Sequence, residues 1–284
     1  MKIVADSSVM YSIAEGAERG IKILPLAVSI EGETWREYED IDAAGFLSRV
    51  REGAVPTSSC PAPEAVVEAY NTEEEVLHLA MADGLSGAYQ VAHAFAQQSA
   101  HPERVTVLNT RTLCVPHRAI ALAAVELAKT VSTSAELAER LTPMVDSARS
   151  YLIPLDFDFL RRGGRLTPVA AKIAHILRAA PVMIQTEDGT RLEKFHLARS
   201  FKKGVASVVA DLAKMGLGET HYVSVSHADN PKAAQIAIDK IRAALPEVQC
   251  GVFDLGPAFI TQVGPGCVAI QLVDLAVCPD IKLG

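Results

Sequence analysis

The chain has 284 residues, enough for one large domain or two of ordinary size, and 49% of them are apolar. Its net charge of −7 argues against general binding to nucleic acid or to a membrane surface, because both favour a basic face. Five scattered cysteines include no CxxC pair, which argues against a disulfide framework and a structural metal site. Reduced thiols, no run of about 18 apolar residues and no signal-peptide pattern predict a soluble, cytoplasmic protein.

In the first half of the chain, short apolar runs alternate with helical patterns. Strands are predicted at residues 2–5, 76–82 and 105–110, and an extended segment at 21–30 is expected to bend at Pro25. Helices are predicted at residues 41–51, 63–70, 89–98, 115–129 and 134–150, the last of them with Ser134 as its cap.

The second half repeats the alternation with a different set of elements. Helices are predicted at 156–162, 169–177, 201–214 and 231–245, and strands at 151–155, 221–227, 248–255 and 267–273. A hairpin at 181–197 is predicted around Asp188-Gly189. The whole pattern predicts an α/β fold with largely parallel sheets flanked by helices, in two domains at residues 1–150 and 151–284.

Four polar loops follow predicted elements, at residues 6–8, 56–61, 83–87 and 109–112. Their hydroxyls and glycine-exposed amides suit an oxyanion such as a carboxylate, and helix capping is the competing interpretation. The segment "GLSG" matches neither a phosphate-binding loop nor the GxSxG nucleophile motif. No Ser–His–Asp set stands out among the eight histidines, so no catalytic residue is predicted.

The segment "DFLRRGGRLTP" places three arginines around two glycines, between two predicted helices. Arg161 and Arg162 match the dipole at the end of the first helix. Arg165 lies beyond the glycines, where an arginine binds an anion, contacts a partner or is simply solvated; the residues alone leave these alternatives open. Near the end of the sequence, Gly264-Pro265-Gly266 predicts a tight turn with exposed amides.

Six of these segments, taken in order, resemble the DegV family of bacterial fatty-acid-binding proteins. "ADSSVM" is similar to the family's opening Asp-Ser-Thr segment, and "ILPLAVSIEGETWREYEDI" to its Pro-Leu…Gly-x-x-Tyr segment. "PTSSCPAPE" resembles Thr-Ser-Gln-Pro-Ser-Pro, and "GLSGAYQVA" resembles Gly-Leu-Ser-Gly-Thr-Tyr-Gln-x-Ala. "FLRRGGRLT" resembles Leu-Lys-Lys-Gly-Gly-Arg-Ile-Ser, and "VGPGCVAI" resembles the Gly-Pro-Gly segment near the family's end.

The resemblance implies a two-domain α/β protein that holds a long-chain fatty acid between its domains and presents the carboxylate to a separate fatty acid kinase. It implies a binding subunit that holds no metal or cofactor, lies in a bacterial cytoplasm and contacts membranes transiently. Hydroxyls at Thr57 and near Ser86 would hold the carboxylate, with Ser58 as a neighbour, and Arg165 would steady an acyl phosphate or dock the kinase. The implied ligand-binding residues are Thr57, Ser58, Ser86, Gly87, Arg165 and Gln262.

Three positions depart from the family pattern. Gln262 stands where the family usually has a histidine two residues before Gly-Pro-Gly, which leaves open a lipid carrier without a kinase partner. Asp83 stands where the family favours serine, so it either points away from the carboxylate or indicates another head group. The segment at residues 56–61 lacks the usual Gln-Pro. A small-molecule enzyme is the third alternative.

Overall fold

The computed structural model of the chain describes residues 1–172 and 180–283. Over these residues the β-strands are β1 (Lys2–Asp6), β2 (Ile21–Leu24), β3 (Ala27–Ile30), β4 (Glu33–Arg36), β5 (Thr57–Ser59), β6 (Val76–Ala80), β7 (Val105–Asn109), β8 (Arg149–Ile153), β9 (Ala180–Gln185), β10 (Leu192–Ala198), β11 (His221–His227), β12 (Gln249–Asp254) and β13 (Val268–Asp274). The α-helices are α1 (Ile13–Glu18), α2 (Ala43–Arg51), α3 (Pro63–Tyr70), α4 (Ala88–Gln97), α5 (Cys114–Leu127), α6 (Ser134–Ser147), α7 (Phe157–Arg162), α8 (Pro168–Ala171), α9 (Phe201–Leu212), α10 (Pro231–Ala244) and α11 (Pro257–Val263).

Most predicted elements are confirmed to within a few residues. The predicted helix at 169–177 begins as α8, and its residues 173–177 lie outside the described part of the chain. The cap of α6 is Thr133, whose side chain accepts a hydrogen bond from the Glu136 N–H, so the prediction of Ser134 as the cap is wrong by one residue. In the described residues, no helix is long and apolar enough to cross a bilayer.

The first sheet has the strand order β2-β1-β6-β7, and all three of its pairings are parallel. Every residue of β6 is buried, as expected for a strand covered by helices on both faces of a parallel sheet. The carboxyl ends of β1 and β6 deliver the loops at residues 6–8 and 81–87 to one edge. This sheet confirms the α/β prediction with parallel pairing.

The second sheet has the order β10-β9-β8-β13-β11-β12 and is mostly antiparallel. Only β11 and β12 pair in parallel, while β13 lies between β8 and β11 and is antiparallel to both. The prediction of largely parallel pairing is therefore wrong for this sheet. The alternation of strands and helices predicts where the elements lie in the sequence but not the direction of each strand. That direction depends on the side from which the connection enters the sheet.

A third, small sheet with the order β4-β3-β5 carries two strands that were not predicted. β4 and β5 are short and polar, so they lack the apolar alternation that predicts a strand. α11 was also missed, although Pro257 directly after Gly256 is a favourable start for a helix. Of these, β5 and α11, together with α7, contribute residues to the candidate site.

The predicted division at residue 150 falls inside β8. The largest cluster of buried apolar side chains includes Leu141 and Met144 on one side of that residue and Leu152 and Leu160 on the other. This cluster therefore includes residues from both predicted domains, while a second cluster of buried apolar side chains lies entirely within the second of them.

Candidate functional site

An inner cavity lies where the first, second and third sheets meet α11. It encloses about 1090 Å³ of space, counting the solvent at its opening. Its walls are mainly apolar and come from both halves of the chain: Leu26, Met81, Leu113, Leu152, Phe259 and Val263. A cavity with walls of this composition suits an apolar ligand.

An outer cavity lies at the surface beside the inner one. Ser58, Arg165 and Gln262 line both cavities, so they form the passage between them, which we call the mouth. Gln262, on α11, donates a hydrogen bond from Nε2 to Ser58 Oγ on β5 at 2.9 Å. The mouth therefore joins residues that lie 204 positions apart in the sequence.

Ser86 and Gly87 line the inner cavity at the N-terminus of α4. The Ala88 N–H donates to Ser86 Oγ at 3.2 Å. Gly87 is the N-cap of this ten-residue helix and has no side chain to accept from its first N–H groups. The partial positive charge of the helix end therefore favours an anion at this wall.

Arg165 is held at the mouth by two backbone carbonyls. Its Nε donates to Leu85 O at 3.0 Å and one terminal nitrogen to Gly163 O at 2.6 Å. Burial, and then the neighbouring Arg191 guanidinium, lower its pKa from the ordinary value. Fixed in this way, the guanidinium is a preorganised positive group beside the "GLSG" loop.

Thr57 and Asp83 lie differently from the other predicted residues. Thr57 is exposed and lines the outer cavity, whereas its neighbour Ser58 lines both. The Asp83 carboxylate accepts hydrogen bonds from the Gly84 N–H at 3.0 Å and from Gln90 Nε2 at 2.7 Å. Of the two alternatives for Asp83, the structure shows the one in which it points into its own loop.

Glu37, which was not singled out from the sequence, is a buried carboxyl group in the wall of the inner cavity and is only 2% exposed. It accepts hydrogen bonds from Ser7 Oγ at 2.6 Å and from the Ala258 N–H of α11 at 2.9 Å. Burial raises its pKa to about 7, against the effect of these bonds. The sequence does not indicate this burial, because Glu37 is an acidic residue in a polar stretch of the chain.

Ser8 and His117 form a second buried polar pair that was not predicted. His117 Nε2 is 3.2 Å from the Leu79 carbonyl, which can only accept, so Nε2 carries the proton and Nδ1 accepts from Ser8 Oγ at 2.7 Å. Burial lowers the pKa of His117, which keeps the ring neutral. Asp6 accepts from the Ser8 and Met81 N–H groups, so the pair is part of a network that fixes the end of β1.

Comparisons with known proteins match nearly the whole chain. The model of the DegV family, described as "Uncharacterised protein, DegV family", matches residues 1–275. A DegV domain-containing protein of Listeria monocytogenes is 24% identical over 275 residues, which cover 94% of this chain and 96% of that protein.

Two solved structures share the fold over nearly the whole chain. A DegV family protein from Thermus thermophilus, described for its fatty acid binding, is 26% identical with a TM-score of 0.85, covering 97% of this chain and 100% of that one. DegV of Bacillus subtilis, described as a fatty acid binding protein, is 25% identical with a TM-score of 0.82, covering 96% and 98%. The chain belongs to the DegV family.

Proposed function

We propose that the chain binds one long-chain fatty acid, with the tail in the inner cavity and the carboxylate at the mouth. The observation that carries the proposal is an apolar cavity that ends at hydroxyls, a helix N-terminus and a fixed arginine. Fatty acid binding by two structurally similar DegV proteins supports it. Burial of each methylene contributes about 0.8 kcal/mol, so few polar contacts are needed.

Native mass spectrometry of the freshly purified protein, followed by lipid extraction, tests this proposal directly. We expect one fatty acid per chain, released when the protein is denatured. A protein that is empty and also fails to take up added fatty acids would contradict the proposal.

The two neighbouring hydroxyls of β5 give a paired prediction. Ser58→Ala is expected to weaken fatty acid binding by about 1–3 kcal/mol, because it removes a hydroxyl at the mouth and leaves the Gln262 amide without its acceptor. Thr57→Val, at the exposed neighbour, is expected to cost less. Titration of delipidated protein measures both, and a larger loss for Thr57→Val would place the carboxylate in the outer cavity instead.

The finer proposal is a cytoplasmic binding subunit that presents the carboxylate to a separate fatty acid kinase and performs no chemistry itself. Support comes from Arg165, whose guanidinium stands at the mouth where a phosphoryl group would be transferred. The six residues predicted to bind the ligand would then hold the fatty acid and present its carboxylate to the kinase: Thr57, Ser58, Ser86, Gly87, Arg165 and Gln262.

Arg165→Ala is expected to reduce kinase-dependent acyl phosphate formation by about 100-fold or more, and to reduce fatty acid affinity much less. Apolar burial of the tail dominates binding, whereas the positive charge acts mainly on the transferred phosphoryl group. Phosphorylation and lipid titration with a bacterial fatty acid kinase measure the two effects separately. A variant that is emptied of lipid would instead make Arg165 a ligand anchor.

Gln262 supports a second candidate function, a lipid carrier without a kinase partner. Its amide does not titrate, and it is hydrogen-bonded to Ser58 rather than held as an acid or base. Gln262→His separates the candidates: if the chain works with a kinase only poorly, the histidine increases phosphorylation without changing the amount of bound lipid.

Transient contact with a membrane is the remaining part of the proposal. Val55, which lines the outer cavity, is 74% exposed, and Leu155, beside Asp156 of the same cavity, is also 74% exposed. Exposed apolar side chains beside the outer cavity favour brief insertion into a bilayer surface. A sedimentation assay with vesicles and the Val55→Ser variant tests this contact.

A further inference from the structure

We propose that Glu37 is a proton-binding site in the wall of the inner cavity, and that the protein takes up a proton there when an acyl chain fills the cavity. This inference rests on the proposed function, because it assigns the cavity to an acyl chain. It adds that the affinity for the ligand depends on pH through the protein itself, which fatty acid binding alone does not require.

The carboxyl group of Glu37 lies in the cavity wall together with its hydrogen-bond donors. Ser7 Oγ donates to Oε2 at 2.6 Å, and the Ala258 N–H donates to Oε1 at 2.9 Å. The Leu26 N–H donates to Ser7 Oγ, which leaves the hydroxyl proton of Ser7 for Glu37. All four residues line the inner cavity, and Glu37 is almost completely buried. Both donors to Glu37 are neutral, so neither offsets the charge of an ionised carboxylate.

The charged and titratable groups around Glu37 also favour its neutral form. Asp6 of β1 acts on it with a like charge. Burial raises the pKa values of the Cys114 thiol on α5 and of the adjacent Tyr38 phenol, so both stay neutral. Arg118 of α5 donates instead to three backbone carbonyls, and α11 contributes no titratable side chain. In the described part of the chain, no cationic side chain forms an ion pair with Glu37.

An acyl chain in the cavity makes ionisation of Glu37 more unfavourable. Burial already raises the pKa of this carboxyl group to about 7. Methylene groups against the wall replace solvent and cannot hydrogen-bond to a carboxylate, so they favour the neutral form further. Well below pH 7, Glu37 is protonated with or without ligand, and the affinity is complete. As the pH rises, the empty protein loses the proton first, so the ligand binds with proton uptake and its affinity falls.

The mouth does not titrate over the same pH range. Ser58, Arg165 and Gln262 present a hydroxyl, a guanidinium and an amide, which keep their charge between about pH 6 and 9. Two further ionisable side chains line the inner cavity, Tyr151 and Cys60. Burial raises the pKa of Tyr151, which keeps it neutral, and the Cys60 thiol is tested by substitution.

The test uses hexadecyl sulfonate, whose long alkyl tail carries a head group that stays anionic, so that any proton taken up belongs to the protein. Calorimetric titration of delipidated protein in phosphate and in Tris, which differ in ionisation enthalpy, gives the number of protons taken up. At about pH 7.5 the wild type is expected to take up roughly half a proton per ligand. Its affinity should be about tenfold weaker at pH 9 than at pH 6, the effect of a ligand that raises the pKa of Glu37 by about one.

Glu37→Gln is expected to take up no proton and to bind the sulfonate equally at both pH values. Glu31→Gln, at an exposed position, and Cys60→Ser are the controls and should keep the proton uptake of the wild type. Ser7→Ala removes a hydrogen bond that favours the carboxylate, so the loss of affinity should move to higher pH. A purely structural role of Ser7 would not produce a shift in that direction.

Equal affinities at both pH values in the wild type, or proton uptake that persists in Glu37→Gln, would overturn the inference and leave the proposed function standing. If Glu37→Gln does not fold, an unchanged pH profile in Ser7→Ala has the same consequence. If the protein binds fatty acids but not the sulfonate, the fatty acid itself is titrated into the wild type and the variants, because the contribution of its head group is common to all of them. A wild-type protein that binds neither ligand overturns both proposals.

Discussion

The free energy of unfolding is expected to fall by roughly 3 kcal/mol as the pH rises from about 4.5 to above 7, because of Glu37 alone. Its folded-state pKa of about 7 lies above the ordinary value of 4.5, so the folded protein favours the protonated form. Below pH 4.5 both states are protonated and the stabilisation is complete. Above pH 7 the folded state also carries the buried charge, and the stabilisation is lost.

Glu37→Gln is expected to remove this dependence, since the amide stays neutral at every pH and still accepts from the Ala258 N–H. Urea denaturation of both proteins from pH 4 to 8 measures the difference, with a slope of at most about 1.4 kcal/mol per pH unit. Glu31→Gln, at an exposed position before β4, is the matched control and should keep the wild-type slope. A Glu37→Gln curve parallel to the wild type would show that folding does not raise the pKa of Glu37.

Gly163→Ala is expected to destabilise the protein by about 2–3 kcal/mol and to weaken fatty acid binding. A Cβ atom on Gly163 would lie 2.5 Å from Gln262 O and 3.1 Å from Leu160 O, both of which are backbone atoms. α7 and α11 must then separate, which moves Gln262 away from Ser58. Chemical denaturation and lipid titration measure the two effects.

Gly164→Ala is the matched control for this change. Gly164 has φ +73°, and the nearest atom to an added Cβ is Arg162 O at 4.0 Å, so alanine adds backbone strain of about 1 kcal/mol without a collision. Lipid affinity should therefore survive Gly164→Ala and fall in Gly163→Ala. Equal behaviour of the two variants would mean that the close approach of α7 to α11 does not hold the mouth together.

The residues of the mouth could be predicted from the sequence far better than the buried carboxyl group in the cavity wall. The segments that contain Ser86, Arg165 and Gln262 are short motifs at element ends, so a linear pattern indicates them, and the structure brings all three to one cavity. Glu37 is held by a hydrogen bond from the Ala258 N–H, more than 200 residues away, and no local pattern contains such a contact. The direction of β13 was missed for a similar reason: its apolar run fits either orientation between β8 and β11.

The position of β13 in the interior of the second sheet also determines when each sheet can be completed during synthesis. Every strand of the first sheet lies within residues 2–109, so that sheet has all its partners early in translation. The second sheet remains in two parts, β10-β9-β8 and β11-β12, until residues 268–274 leave the ribosome and join them. Because Ala269 of β13 lines the inner cavity, a nascent chain has no complete inner cavity before residue 269 has been translated.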